Sequence, residues 1–300
     1  MKQDEHSDLI KQAKRAVRWR FWLHCRIPYK YHCMMVRLEC CSLWMLRSYF
    51  RDEHLCTEAE VLLVERFVHT NPDLIASYIN RHTISNEMEL KLVESKSTPL
   101  WLHINQTANS LLHPFSLNRP AQLALVKLND VAYFAQVYKV YPKLCAEAIS
   151  EIIRLENVQI FEQLFVLSKQ ENVNISYSHE LMLIDQNNIE MLDCFLRHKK
   201  QFSENSLHLI IERENTKLMD KLIQKRKFTE SVEKFLAQKG SKKMIAQYIK
   251  EWPLCPAAQI ELVKRDYKDL LKLHFLRHSV SEQTLLYLVN LTQFKAYLGI

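Results

Sequence analysis

Glycine is nearly absent from the chain: two residues in 300, Gly240 and Gly299. Tight hairpins and phosphate-cradling loops use glycine wherever the backbone must take a positive φ. With two glycines so placed, no G-x-G-x-x-G, no P-loop and no G-x-S-x-G elbow can be written. A chain of this length without them reads as all-helical. Long hydrophobic runs are missing too. The nearest to a membrane span, Tyr31 to Phe50, is interrupted by Arg37, Glu39 and Arg47, well short of about 20 uncharged apolar residues. It reads instead as one helix buried on most sides. The N-terminus is polar and acidic before it turns basic, unlike a secretory leader. The eight cysteines, Cys25, Cys33, Cys40, Cys41, Cys56, Cys145, Cys194 and Cys255, therefore read as reduced thiols, and a cytoplasmic location is expected.

The charge that is present is unevenly placed. The net value is +7; residues 1–9 contribute −2 and residues 10–51 contribute +9. The remaining 249 residues sum to zero, so electrostatic function is expected in the N-terminal fifth. Ser7 to about Cys25 reads as an amphipathic helix, apolar along Leu9, Ala13, Val17 and Phe21. Lys11, Lys14, Arg15, Arg18, Trp19, Arg20, Trp22, Arg26 and Lys30 form a basic set interleaved with aromatics, suited to phosphate contact with rings alongside. Two other readings compete: an anionic membrane surface, and an ordinary solvated face of a helical cap.

From Thr57 onward the sequence repeats. An apolar pair recurs as Leu63-Val64, Leu92-Val93, Leu125-Val126, Ile152-Ile153, Leu183-Ile184, Ile210-Ile211, Phe235-Leu236, Leu262-Val263 and Leu288-Val289, settling to a period near 26. A second signature follows most of these pairs: two apolar residues, two free positions, two more apolar residues. Leu74-Ile75 with Tyr78-Ile79 and Met244-Ile245 with Tyr248-Ile249 are examples. Residues i, i+1, i+4 and i+5 share one helix face. Capping residues fall between the helices at Asn71, Asn129, Asn157, Asn187, Asn215, Ser241, Asp266 and Thr292, and between repeats at Ser85, Ser203, Thr229 and Ser281. Thr57-Glu58-Ala59-Glu60 reads as a capping box. The poorest fit is residues 101–120, read as an irregular second helix followed by a long connection.

Two periodic signals in phase resemble the α-solenoid class, the group that holds HEAT, armadillo, tetratricopeptide and ankyrin arrays. The resemblance implies an all-α array of about eight or nine short hairpins over residues 57–300, preceded by a helical cap over residues 1–56. It carries over no functional residue.

Candidate chemistry is sparse, and no motif for a cofactor or a catalytic centre is present. His24, Cys25, His32, Cys33, Cys40, Cys41, His54 and Cys56 are metal-ligand types, yet they lack the C-x2-C or H-x3-H spacing of zinc modules. His274 and His278 are four apart, but His274 falls in the column of Tyr78 and Tyr248, and His278 aligns with His82 at a helix end. Glu65, Glu94, Glu212 and Glu261 read as solvated faces. The sequence is therefore expected to encode a non-enzymatic scaffold for a protein partner. Nucleic acid bound by the basic N-terminal segment is the alternative, and self-association is expected at the apolar end Tyr297-Leu298-Gly299-Ile300.

Overall fold

A computed structural model describes residues 27–37, 42–108, 117–168, 173–198 and 201–290, with Lys11 and Arg15 ahead of them. The chain forms two compact units, Met1–Ile175 and Ser176–Ile300. No strand occurs among the described residues, which form nineteen α-helices and one 3-10 turn, Tyr29–Tyr31.

Among its described residues the first unit contains α1 (His32–Arg37), α2 (Leu43–Asp52), α3 (Thr57–Phe67), α4 (Pro72–Ile79), α5 (Asn86–Glu94), α6 (Thr98–Ala108), α7 (Arg119–Lys127), α8 (Val131–Val140), α9 (Ala146–Arg154) and α10 (Val158–Leu167). Odd-numbered helices pack on odd and even on even, so two layers of helices result. The second unit follows the same rule. Its first helices are α11 (Tyr177–Gln186), α13 (Glu204–Glu212), α15 (Glu230–Lys239), α17 (Pro256–Lys264) and α19 (Glu282–Asn290). Its second helices are α12 (Ile189–His198), α14 (Thr216–Lys225), α16 (Lys242–Glu251) and α18 (Lys268–Arg277). Helices of about ten residues are marginal alone. Side-by-side stacking covers each apolar stripe with that of the next repeat, and the helical-hairpin repeat expected from the sequence is what each unit shows.

The periodic apolar positions are the core. Tyr133, Phe134, Val137 and Tyr138 of α8, and Leu218, Met219, Leu222 and Ile223 of α14, are all buried. Two first-helix pairs shift register. In α15 the buried pair is Leu236 with Ala237, Phe235 being only half-buried. In α19 Leu288 is buried while Val289 is 59% exposed.

Three expectations about local structure are corrected. Tyr31 to Phe50 is not one helix: Ser42 caps α2 by accepting the Met45 amide, and α1 and α2 stack on α3 and α4 as a further hairpin. Thr98–Ala108 is a regular helix burying Leu100, Trp101 and Ile104, although residues 109–116 of the expected connection lie outside the described residues. Third, Asn129, Asn187 and Asp266 are not N-caps. They stand one residue earlier, in the left-handed conformation that ends the first helix, with φ of 52°, 52° and 55°. Asp130 and Asn188 do the capping, accepting the Tyr133 and Met191 amides.

Glu214 takes the same left-handed position with φ 50°, where a Cβ costs about 1–2 kcal/mol. Replacing it with glycine is expected to raise stability by about 0.5–1 kcal/mol after glycine's greater freedom in the unfolded chain is subtracted. Urea unfolding of Glu214→Gly reads this, and a lower midpoint contradicts it. Gly240 differs: its φ is −66°, but a Cβ there would lie 2.6 Å from the Leu236 carbonyl oxygen. Close approach, not positive φ, requires that glycine.

Candidate functional site

Most side chains with chemical potential are used to join repeats. Outside α9 and α13, which have Ile149 and Leu207 there, a polar residue stands three positions before each buried first-helix pair, inside the apolar stripe: His32, Glu60, Glu89 and Gln122 in the first unit, and Glu180, Glu233 and Gln259 in the second. Each accepts the backbone N–H of the residue capping the next first helix. His32 Nδ1 lies 3.0 Å from the Cys56 nitrogen, Glu60 Oε2 2.9 Å from Ser85 and Glu89 Oε2 2.6 Å from Asn118. Glu180 Oε2 lies 2.9 Å from the Ser203 nitrogen and Gln259 Oε1 3.3 Å from that of Ser281. Gln122 serves Cys145, and Glu233 serves Cys255. The cap amide precedes its helix and has no intrahelical partner, so a buried acceptor from the previous repeat satisfies it.

Two of these carboxylates hold a tyrosine as well. The Tyr78 hydroxyl donates to Glu60 Oε1 at 2.8 Å and accepts the Leu55 amide at 3.0 Å. Tyr248 repeats this on Glu233 at 2.8 Å and Phe228 at 3.1 Å. Burial, then the nearby carboxylate, raises the pKa of Tyr78; burial also raises that of Tyr248, so both stay protonated donors. Burial pushes Glu89 up as well, and Cys255 to about 11. The expected capping box at Thr57 is thus overturned. Cys56 is the cap, and Glu60, fully buried, turns away to the next repeat.

The expected histidine columns hold. His274 Nε2 accepts the Leu254 amide at 3.1 Å, as Tyr78 accepts that of Leu55. Burial, with a smaller contribution from His278, lowers the His274 pKa to about 4. His82 and His278 bond the carbonyls of Phe50 and Ile249 at 2.6 and 2.7 Å, and Trp252 bonds that of Ile223 at 2.7 Å. These rings tie the last turn of one second helix to the second helix before it. Among the metal-type residues, His32 is also bonded to Ile27 and Tyr49, and His54 to the carbonyls of Leu55 and Thr83. His24, Cys25, Cys40 and Cys41 lie outside the described residues. Glu65 pairs with Lys91 at 3.2 Å and Glu261 with Lys264 at 2.8 Å; Glu94 and Glu212 are exposed.

The basic N-terminal set is described only in part. Lys11 and Arg15 are helical and exposed, and Lys30 lies in the 3-10 turn. Lys14, Arg18, Trp19, Arg20, Trp22 and Arg26 lie outside the described residues, as do Thr292 and the apolar end at Tyr297–Ile300. Just before that end, α19 exposes Leu285, Leu286 and Val289.

Charge is also organised beyond the N-terminal fifth, contrary to expectation. Residues 52–175 hold ten Lys and Arg against fifteen Asp and Glu, and residues 176–300 hold twenty against fifteen. The zero sum conceals −5 beside +5. Within the second unit the layers divide again. First helices α11, α13, α15, α17 and α19 carry three cations against eight carboxylates, net −5. Second helices α12, α14, α16 and α18 carry ten against five, net +5, and α14, α16 and α18 alone are +6. Counting along the chain missed this because the layers alternate every dozen residues or so and cancel.

No family model, curated protein or solved structure matches the chain. No helix among the described residues is long and apolar enough to cross a membrane.

Proposed function

We propose that this chain is a non-enzymatic helical-repeat scaffold that binds a protein partner. The observation that carries the reading is the charge segregation of the second unit, one layer acidic and the other basic. Groups that would serve catalysis elsewhere, among them Glu60, Glu233, His32 and His274, are buried and hydrogen-bonded to neighbouring backbone or tyrosine. Outward faces of sorted charge remain, which suits recognition of a macromolecule by complementarity. Cys33, Cys56, Cys145 and Cys255 are thiols with no disulfide among the described residues, which fits a reducing compartment such as the cytoplasm.

Nucleic acid is the second reading, favoured by Lys11 and Arg15, both exposed on helical backbone. Two measurements separate the readings. Chemical cross-linking of the full chain in nuclease-treated extract, mapped by mass spectrometry, is expected to give cross-links to one protein on successive repeats. A labelled random oligonucleotide is expected to bind no more tightly to the full chain than to its Arg15→Ala, Arg18→Ala, Arg20→Ala form. Tight oligonucleotide binding that falls in the triple variant and steepens at low salt overturns the protein reading.

A further inference from the structure

The helices α14, α16 and α18 carry a net +6 between them, and exposed lysines stand on their outer face. In α16 the buried residues Met244, Ile245, Tyr248 and Ile249 fix the inward side. Lys243 and Lys250, seven residues apart and therefore two turns along one face, stand exposed on the other. Lys217 of α14 is at the repeat position of Lys243, and Lys272 of α18 lies on the same outward side; both are exposed. The three helices pack side by side, so these lysines form a lattice across neighbouring helices, not a row on one.

The lattice is built against the helix dipole. The first turns of α14 and α16 contain no acidic residue, and Lys217, Lys242 and Lys243 occupy them. A cation beside the free amides of a helix start is unfavourable in isolation, because that end already carries partial positive charge. Two stacked helices repeating the arrangement add their potentials at the same end of the layer, and an anion answers both.

We infer that this face docks an acidic segment of a partner protein, a deepening of the protein-binding reading and dependent on it. Two observations favour carboxylates over a nucleic-acid strand. No Trp, Tyr or Phe is exposed on these helices, so the face offers no platform for base stacking. Leu276, 85% exposed at the repeat position of Lys250, adds an apolar foothold among the charges, which an amphipathic acidic peptide matches and a phosphate backbone does not.

The test uses the full chain and two fluorescent probes, a poly-glutamate 20-mer and a poly-uridylate 20-mer, titrated at low and moderate salt. Three proteins are compared with the parent: Lys217→Glu, Lys243→Glu, Lys250→Glu, Lys272→Glu; the same four positions as Arg; and Arg15→Ala, Arg18→Ala, Arg20→Ala. Circular dichroism melts confirm that each folds. The expected result is poly-glutamate binding that falls at least tenfold in the Glu form, persists in the Arg form and changes less than threefold in the N-terminal form. Absence of poly-glutamate binding at low salt overturns the inference. So does loss confined to the N-terminal form, or a tighter grip on poly-uridylate through the same lysines. If the charge-reversed chain still forms the protein cross-links of the parent, the scaffold reading stands and this face is excluded as its dock.

Discussion

Glu233→Leu is expected to lower stability by about 3–5 kcal/mol, whereas Glu233→Gln costs less than about 1.5 kcal/mol. The leucine strands the Cys255 amide and the Tyr248 hydroxyl, both held by Glu233, and each buried unsatisfied donor costs about 1–3 kcal/mol. Glu233 is fully buried, so water does not replace it. Glutamine keeps one carbonyl oxygen for the cap amide, and Gln122 and Gln259 already do this in their own repeats. A loss of several kcal/mol is a large part of the roughly 5–15 kcal/mol that holds a typical domain together. Equilibrium urea unfolding compares the two variants, and amide exchange at Cys255 reports the local effect. Equal midpoints for Leu and Gln would remove the cross-repeat bond as a source of stability.

Acid sensitivity traceable to one histidine is the second large effect. His274 is fully buried with its Nε2 accepting the Leu254 amide, and its Nδ1 has no hydrogen-bond partner among the described residues. Burial holds its pKa at about 4, against 6.5 in an unfolded chain. Between those values the unfolded state binds more protons, so stability rises with pH. The contribution is complete above pH 6.5 and is lost as pH falls toward 4, amounting to about 3 kcal/mol. His274→Gln keeps an acceptor for the Leu254 amide and removes the titration. The stability difference between parent and variant is expected to shift by that amount from pH 7 to pH 4. Parallel pH profiles would show that His274 does not carry the acid sensitivity.

The inward faces were legible because they rest on period alone. Leu218, Met219, Leu222 and Ile223 announce a helix stripe to any count by three and four, and the structure buries all four. The column of His274 with Tyr78 and Tyr248 was legible for the same reason. Glu60 was not. Two residues from Glu58 and three from Thr57, it satisfies a local capping rule, and nothing nearby says that its acceptor capacity is spent on Ser85, 25 residues on. A weak signal was present: a carboxylate at the centre of the stripe Ala59, Leu63, Val64 and Phe67, all buried, is out of place on a solvated face. The caps slipped by one residue at Asn129 and Asn187 because asparagine suits both an N-cap and a left-handed C-terminus; the helix length decides between them.

The sequence alone determined that the chain is helical, that its helices come in pairs, and which residues face inward in most of them, because glycine scarcity and apolar period are local properties. Only the tertiary structure decided which polar groups are buried to join repeats and which stand outward as the sorted charge of α14, α16 and α18. Both depend on stacking residues more than 20 positions apart, and a linear count adds such charges together where the layers hold them on separate faces.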